Sequence, residues 1–228
     1  MKIRPVILCG GAGTRLWPDK KKHQAKQFID FGGWSLIQKT LERTNKPIFD
    51  FPIISTNLKY LKQVKLALKK SKIKKFKIVL EPAKKNTAPA ILASALIKDI
   101  PLEQPLMFFA ADHLIEKSNI LNKSLLKNKP NLDNQNLFIF GIKPTNPSSE
   151  YGYFLTKKIK GNINKVTKFI EKPKEAKAKQ VIKQKGYWNS GMFFLRKDSI
   201  INNFKKNQPT IYKNCVNAVK KAKLKDNT

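Results

Sequence analysis

Short apolar runs alternate along this chain with stretches in which apolar residues recur at helical spacing. The first run, IRPVILCG from Ile3, reads as a strand that breaks into GGAGTRLWP. SLIQKTLERTNK puts Leu36, Ile37, Thr40 and Leu41 on one helical face, with Ser35 as cap and Pro47 as stop. FPIIST is a short buried strand, Asn57 opens a helix through about Lys70, and KFKIVLEP is a third strand ending at Glu81-Pro82. A further helix is expected from Asn86 or Thr87. PLMFFAADH is apolar on both faces, as a central parallel strand should be. A helix from Ser118 to about Lys127 and a fifth strand, NLFIFGI, ending at Gly141 come next. YGYFLTKK and INKVTKFIEKP, joined by a turn at Lys160-Gly161-Asn162, read as an antiparallel pair. KEAKAKQVIKQ is helical, GMFFLR is a strand with Met192 to Leu195 in the core, and Asp198 to Thr228 is helical again.

Strands alternating with helices predict an α/β fold: a doubly wound, Rossmann-like, mainly parallel sheet with an added antiparallel strand pair. Ligands of such sheets lie beyond the carboxyl ends of the strands, where the Gly10 loop, Glu81 and Asp112 all fall. A length of 228 residues with 41% hydrophobic content supports one sizeable core, and no boundary or repeat divides residues 1–228. No apolar run approaches the roughly 20 residues of a membrane helix, and the N-terminus lacks a signal-peptide layout, so a cytoplasmic protein is expected.

The first loop carries the chemistry. Gly10, Gly11 and Gly13 let backbone N–H groups approach an anion without an intervening Cβ, and Arg15 and Lys26 add charge. It is not a P-loop, which needs Gly-x4-Gly-Lys-Ser/Thr, nor the dinucleotide fingerprint, whose third glycine is replaced by Leu16. A glycine turn that merely joins strand to helix is the bland alternative.

Charge changes the picture less than its size suggests. The 47 basic and 15 acidic residues leave a formal +32, but only Arg4, Arg15, Arg43 and Arg196 are arginines, and the lysines are scattered. Nucleic-acid surfaces favour arginine forks interleaved with aromatics, so solvated lysine faces are the preferred reading and nucleic acid is not an expected partner. Cys9 and Cys215 make no disulfide framework or zinc spacing, and Cys9 reads as a small core residue.

GGAGTRLWP followed by KQF resembles the signature of the sugar-phosphate nucleotidylyltransferases, in particular the mannose-1-phosphate guanylyltransferase branch. EPAKKNTAPA, the Ala-Asp-His of FAADH, GIKPTNPSSEYGY, Glu171-Lys172-Pro173 and YWNSGMFF agree with it in order and spacing, over roughly Lys2 to Arg196. The resemblance implies the nucleotide-diphospho-sugar transferase fold, and attack by a mannose 1-phosphate oxygen on the α-phosphorus of GTP to give GDP-mannose and pyrophosphate. It implies that Gly10, Gly11, Gly13, Thr14 and Arg15 hold the β- and γ-phosphates and Lys26 the α-phosphate. Asp112 would bind Mg²⁺, Gly152, Glu171 and Asn189 the mannose, and Lys172 its phosphate.

Glu81, Asn86 and Thr87 fall in the nucleotide part of the pattern. A carboxylate at Glu81 can accept from guanine N1–H and N2–H2, although pairing with a nearby lysine would also explain it; Asn86 and Thr87 can equally be helix caps. His113 either orients Asp112 or packs, and packing is preferred.

The sequence departs from the family at Ala25, where proline is usual, at Asp19 to Lys21, in place of Leu-Ser-Arg, and at Lys85, where arginine is usual. The family pattern also continues into a segment with a second metal-binding aspartate, so 1–228 is expected to be a catalytic domain without that C-terminal part. Alternatives are a nucleotidyltransferase for another nucleotide or hexose phosphate, or a non-catalytic nucleotide-binding, regulatory or polyanion-binding relative. A homo-oligomer is left open.

Overall fold

The computed structural model describes residues 1–11, 24–83, 85–161 and 163–223. Read from its sequence as one domain, the chain divides into two compact units, Met1–Phe138 with Phe193–Thr228, and Ile139–Met192.

In the first unit β1 (Arg4–Leu8), β2 (Ile53–Asn57), β3 (Lys77–Glu81) and β4 (Pro105–Ala110) are parallel in the order β3-β2-β1-β4. The C-terminal half of β8 (Tyr187–Arg196) runs antiparallel to β4, Pro105 facing Arg196 and Phe108 facing Phe193. Successive strand side chains point to opposite faces, and the core follows that period. Ile7, Ile54 and Ile78 pack with Ile37 and Leu41 of α1 (Leu36–Thr44) and Val64 and Leu68 of α2 (Leu61–Lys70). Their neighbours Val6 and Ile53, with Leu106 and Phe108, pack on the other side with Ile91 and Ala95 of α3 (Thr87–Ala95) and Ile200 of α6 (Lys197–Asn207). The sheet is therefore covered on both faces, as its unbroken apolar strands require. α4 (Ser118–Asn128) and α7 (Pro209–Lys221) complete the unit's α-helices among the described residues.

Two expected caps differ in detail. Ser35 precedes α1 but donates to the Gln38 side chain at 2.9 Å instead of capping a backbone N–H. Asn86 sits at the N-cap of α3 with φ 65° and makes no side-chain cap bond, so capping does not explain that residue.

β5 (Leu137–Ile142) leads into the second unit, where β6 (Tyr153–Lys160) and β7 (Ile163–Ile170) form the expected antiparallel pair. Tyr153 and Phe154 of β6 pair in turn with Trp188 and Tyr187 of β8. Tyr153, Ala178 and Val181 make a small core under α5 (Glu175–Lys183). The last strand is longer than GMFFLR predicts: β8 begins at Tyr187 and passes through Gly191 at φ +69°, so Asn189 lies within it.

Candidate active site

In the first unit three strand ends meet. β1 exits at Cys9, whose N–H donates to the Ser55 carbonyl at 2.7 Å and whose carbonyl accepts from Thr56 Oγ1 at 3.1 Å. The buried Gln27 amide, in the 3-10 turn Lys26–Phe28, donates to the Gly11 carbonyl at 2.9 Å. The start of the glycine loop is thus tied to β2 and to the KQF turn before the chain reaches Gly13, Thr14 and Arg15, which lie outside the described residues together with Trp17 and Pro18.

Glu81 closes β3 beside Gly10. A Cβ on Gly10 would lie 3.3 Å from Glu81 Oε1, so glycine gives the carboxylate its room. Ser55, fully buried in β2, donates its hydroxyl to the same oxygen at 2.8 Å, and Asn57 Nδ2 donates to the Glu81 carbonyl at 3.0 Å. Among the described residues the carboxylate meets a hydroxyl and a glycine, not the lysine that the bland reading requires.

Asp112 follows β4 in a turn. Its Oδ2 stands 3.7 Å from Lys26 Nζ, with the two side chains 39% and 38% exposed, so both heads remain open to a ligand. On its inner side the turn is held by Ala111 N–H donating to the Leu8 carbonyl at 3.1 Å and by Arg43 donating to the His113 carbonyl at 2.8 Å. Burial holds the His113 imidazole below its ordinary range, partly offset by Asp112, which fits a packed neutral ring. Burial likewise pushes the Cys9 thiol up to about 12, so it stays protonated and is no nucleophile.

In the second unit Gly152, Glu171 and Asn189 come together. The Gly152 carbonyl accepts from Asn189 N–H at 2.7 Å, and a Cβ on Gly152 would fall 2.8 Å from Glu171 Oε2. Asn189 Oδ1 accepts from Gly191 N–H at 3.1 Å, which leaves its NH2 group to donate elsewhere. Lys172 is exposed at φ 41°, a conformation costly for a non-glycine residue and doubly so before Pro173. Tyr151 packs on Trp188 with ring centroids 5.0 Å apart, and Tyr153 OH donates to the Ser148 carbonyl at 2.8 Å, shaping the loop before the glycine.

Residues 4–227 match the family model described as nucleotidyl transferase. The chain belongs to that family. It is 34% identical over 218 residues to the alginate biosynthesis protein AlgA of Pseudomonas fluorescens, covering 93% of this chain and 45% of the relative. It is 36% identical over 225 residues to the mannose-1-phosphate guanylyltransferase RfbM of Salmonella typhimurium, covering 96% and 47%. The chain therefore spans about half the length of these curated relatives. A crystal structure described as mannose-1-phosphate geranyltransferase from Thermus thermophilus superposes with a TM-score of 0.82 at 25% identity, covering all of this chain and 67% of that one. The fold predicted from sequence, a mainly parallel sheet with antiparallel additions, is the fold observed.

The pattern reading passed over Gln27, Ser55, Thr56 and Arg43. Polar Ser55 and Thr56 inside an otherwise apolar buried strand were the available signal. Arg43 and Gln27 gave none beyond the motif around them. Among the described residues no three metal-ligating side chains converge. Asp112, at the strand ends, offers a partly exposed carboxylate next to a cation, an oxygen donor suited to a hard ion that takes its remaining ligands from phosphate and water. No helix among the described residues is long and apolar enough to cross a membrane.

Proposed function

We propose that this chain transfers GMP from GTP to mannose 1-phosphate, releasing pyrophosphate and forming GDP-mannose, and that residues 1–228 act as its catalytic domain. The observation that carries the reading is Lys26 beside Asp112 at the strand ends that also hold Gly10 and Glu81. The likeness to a mannose-1-phosphate guanylyltransferase at 36% identity supports the choice of sugar phosphate and base.

A phosphate oxygen of mannose 1-phosphate attacks the α-phosphorus of GTP, a new P–O bond forms, and the bond to the α,β-bridging oxygen breaks, its electron pair leaving with pyrophosphate. The attacking oxygen is already anionic, so no protein nucleophile or base is needed, and catalysis is positioning with charge neutralisation. Lys26 balances charge growing at the α-phosphoryl group. The Gly10 and Gly11 amides, with Gly13, Thr14 and Arg15, bind the β- and γ-phosphates. Glu81, aimed by Ser55, accepts from guanine N1–H and N2–H2, and Asn86 and Thr87 belong to the same nucleotide part. Glu171, Asn189 and Gly152 bind the mannose hydroxyls, and Lys172 its phosphate. Magnesium held by Asp112 would supply Lewis-acid neutralisation of the phosphate oxygens.

The test is pyrophosphate release by the 228-residue chain with Mg²⁺ and mannose 1-phosphate, comparing GTP, ATP, UTP, dTTP and CTP, with Asp112→Asn as control. Turnover strongest with GTP and lost in the control is expected. Preference for another nucleotide would overturn the role of Glu81. Saturable GTP binding without turnover would make the chain a nucleotide-binding relative, and no binding would remove the phosphate role of the Gly10 loop.

A further inference from the structure

Arg43, in the last turn of α1, is 5% exposed. One guanidinium nitrogen donates to the His113 carbonyl at 2.8 Å, and the guanidinium carbon lies 5.8 Å from the centre of the Phe109 ring. The other terminal nitrogen is buried with no hydrogen-bond partner among the described residues, and no described carboxylate forms an ion pair with the group. Burying a cation without a counter-charge is costly, and an apolar side chain would fill the same space more cheaply.

One turn earlier on the same helix face, the fully buried Thr40 reaches the Ala111 carbonyl at 3.5 Å. Thr40 and Arg43 therefore hold the carbonyls of the two residues on either side of Asp112, Ala111 and His113, the second bond being the stronger because its donor is charged. The helix C-terminus favours a basic residue in its last turn, but that alone does not direct the guanidinium onto a carbonyl of another segment.

We propose that Arg43 is a positioning residue: through the His113 carbonyl it fixes the 111–113 turn so that the Asp112 carboxylate is presented to a divalent cation beside Lys26. The inference rests on the GMP-transfer reading for its metal and on the hydrogen bonds alone for the turn. Loss of a group that orients a metal ligand typically weakens metal affinity or activity about 10–100-fold.

The test compares Arg43→Met and Arg43→Lys with the wild-type 228-residue chain by three readouts: amide hydrogen exchange over 110–114, the Mg²⁺ concentration giving half-maximal GMP transfer, and Tm. Arg43→Met should speed exchange over 110–114 while leaving β2 and β3 protected, and raise the half-maximal Mg²⁺ concentration about 10-fold or more. Arg43→Lys, which keeps a charged donor, should recover part of both effects. A lowered Tm with unchanged local exchange, or with an unchanged Mg²⁺ requirement, would reduce Arg43 to a packing residue and overturn the proposal. If Arg43→Met does not fold, Thr40→Val and Arg43→Lys carry the same comparison. If the wild type neither transfers GMP nor binds GTP in a metal-dependent way, the functional reading fails separately, and unchanged exchange over 110–114 still overturns the grip on the turn.

Discussion

β4 and β7 show how differently the two units present their candidate residues. β4 is buried along its length until Ala110 and delivers Asp112 from a strand packed on both faces. β7 is exposed at every position except its ends and delivers Glu171 from a strand that little covers. In the first unit packing fixes the backbone, and buried polar side chains such as Ser55, Gln27 and Arg43 then aim the site. In the second, contacts made at the backbone of Gly152 and Gly191 hold the residues: Asn189 N–H to Gly152, Gly191 N–H to Asn189, and the close approach of Glu171 to Gly152. Stability and site geometry should therefore be coupled in the first unit and separable in the second.

The largest effect that would break this contrast is on β4. Phe108→Ala, at a fully buried position, should cost about 3–5 kcal/mol in urea unfolding. A cost near zero would mean that the first unit is not held by its sheet. Next comes Lys26→Met, which should lower the rate of pyrophosphate release by about 10²–10³-fold, as loss of one preorganised charge does, with little change in Tm because the side chain is 38% exposed.

Glu171→Gln is smaller and sharper. It should raise KM for mannose 1-phosphate ~10–100-fold, corresponding to about 1.5–3 kcal/mol for a charged hydrogen bond, and leave GTP affinity as it was. Equal losses for both substrates would place Glu171 in a general structural role. Ser55→Ala frees the Glu81 carboxylate and should narrow the preference for GTP over ITP, measured by the ratio of kcat/KM. The smallest effect belongs to β7: Val166→Ala, at 37% exposure, should change stability by no more than about 0.5 kcal/mol. A larger loss would show that this strand is covered by something in solution.

Much of the fold was legible because its signals are local. β1 to β4 are apolar runs, α1 and α2 repeat at helical spacing, and the Gly161 turn separates two strands of matching length. The start of the last strand was misread at Gly191, where GMFFLR begins, because the strand passes through that glycine from Tyr187. Glu81 was open between a base and a lysine because the sequence does not say what faces a strand end; the structure adds the Ser55 hydroxyl as one partner of its carboxylate. Arg43 was illegible, since its partner lies 70 residues away and nothing in the helix around it differs from an ordinary amphipathic face.

By itself the sequence determined the order of strands and helices, the family, and which residue types stand at each strand end, since periodicity and motif spacing are properties of neighbouring residues. Only the tertiary structure decided that Gln27 ties down Gly11, that Ser55 aims Glu81, and that Arg43 holds the Asp112 turn. Those are hydrogen bonds between segments well separated along the chain. Their geometry follows from which strands pair and which turns and helices pack beside them, which no local pattern encodes.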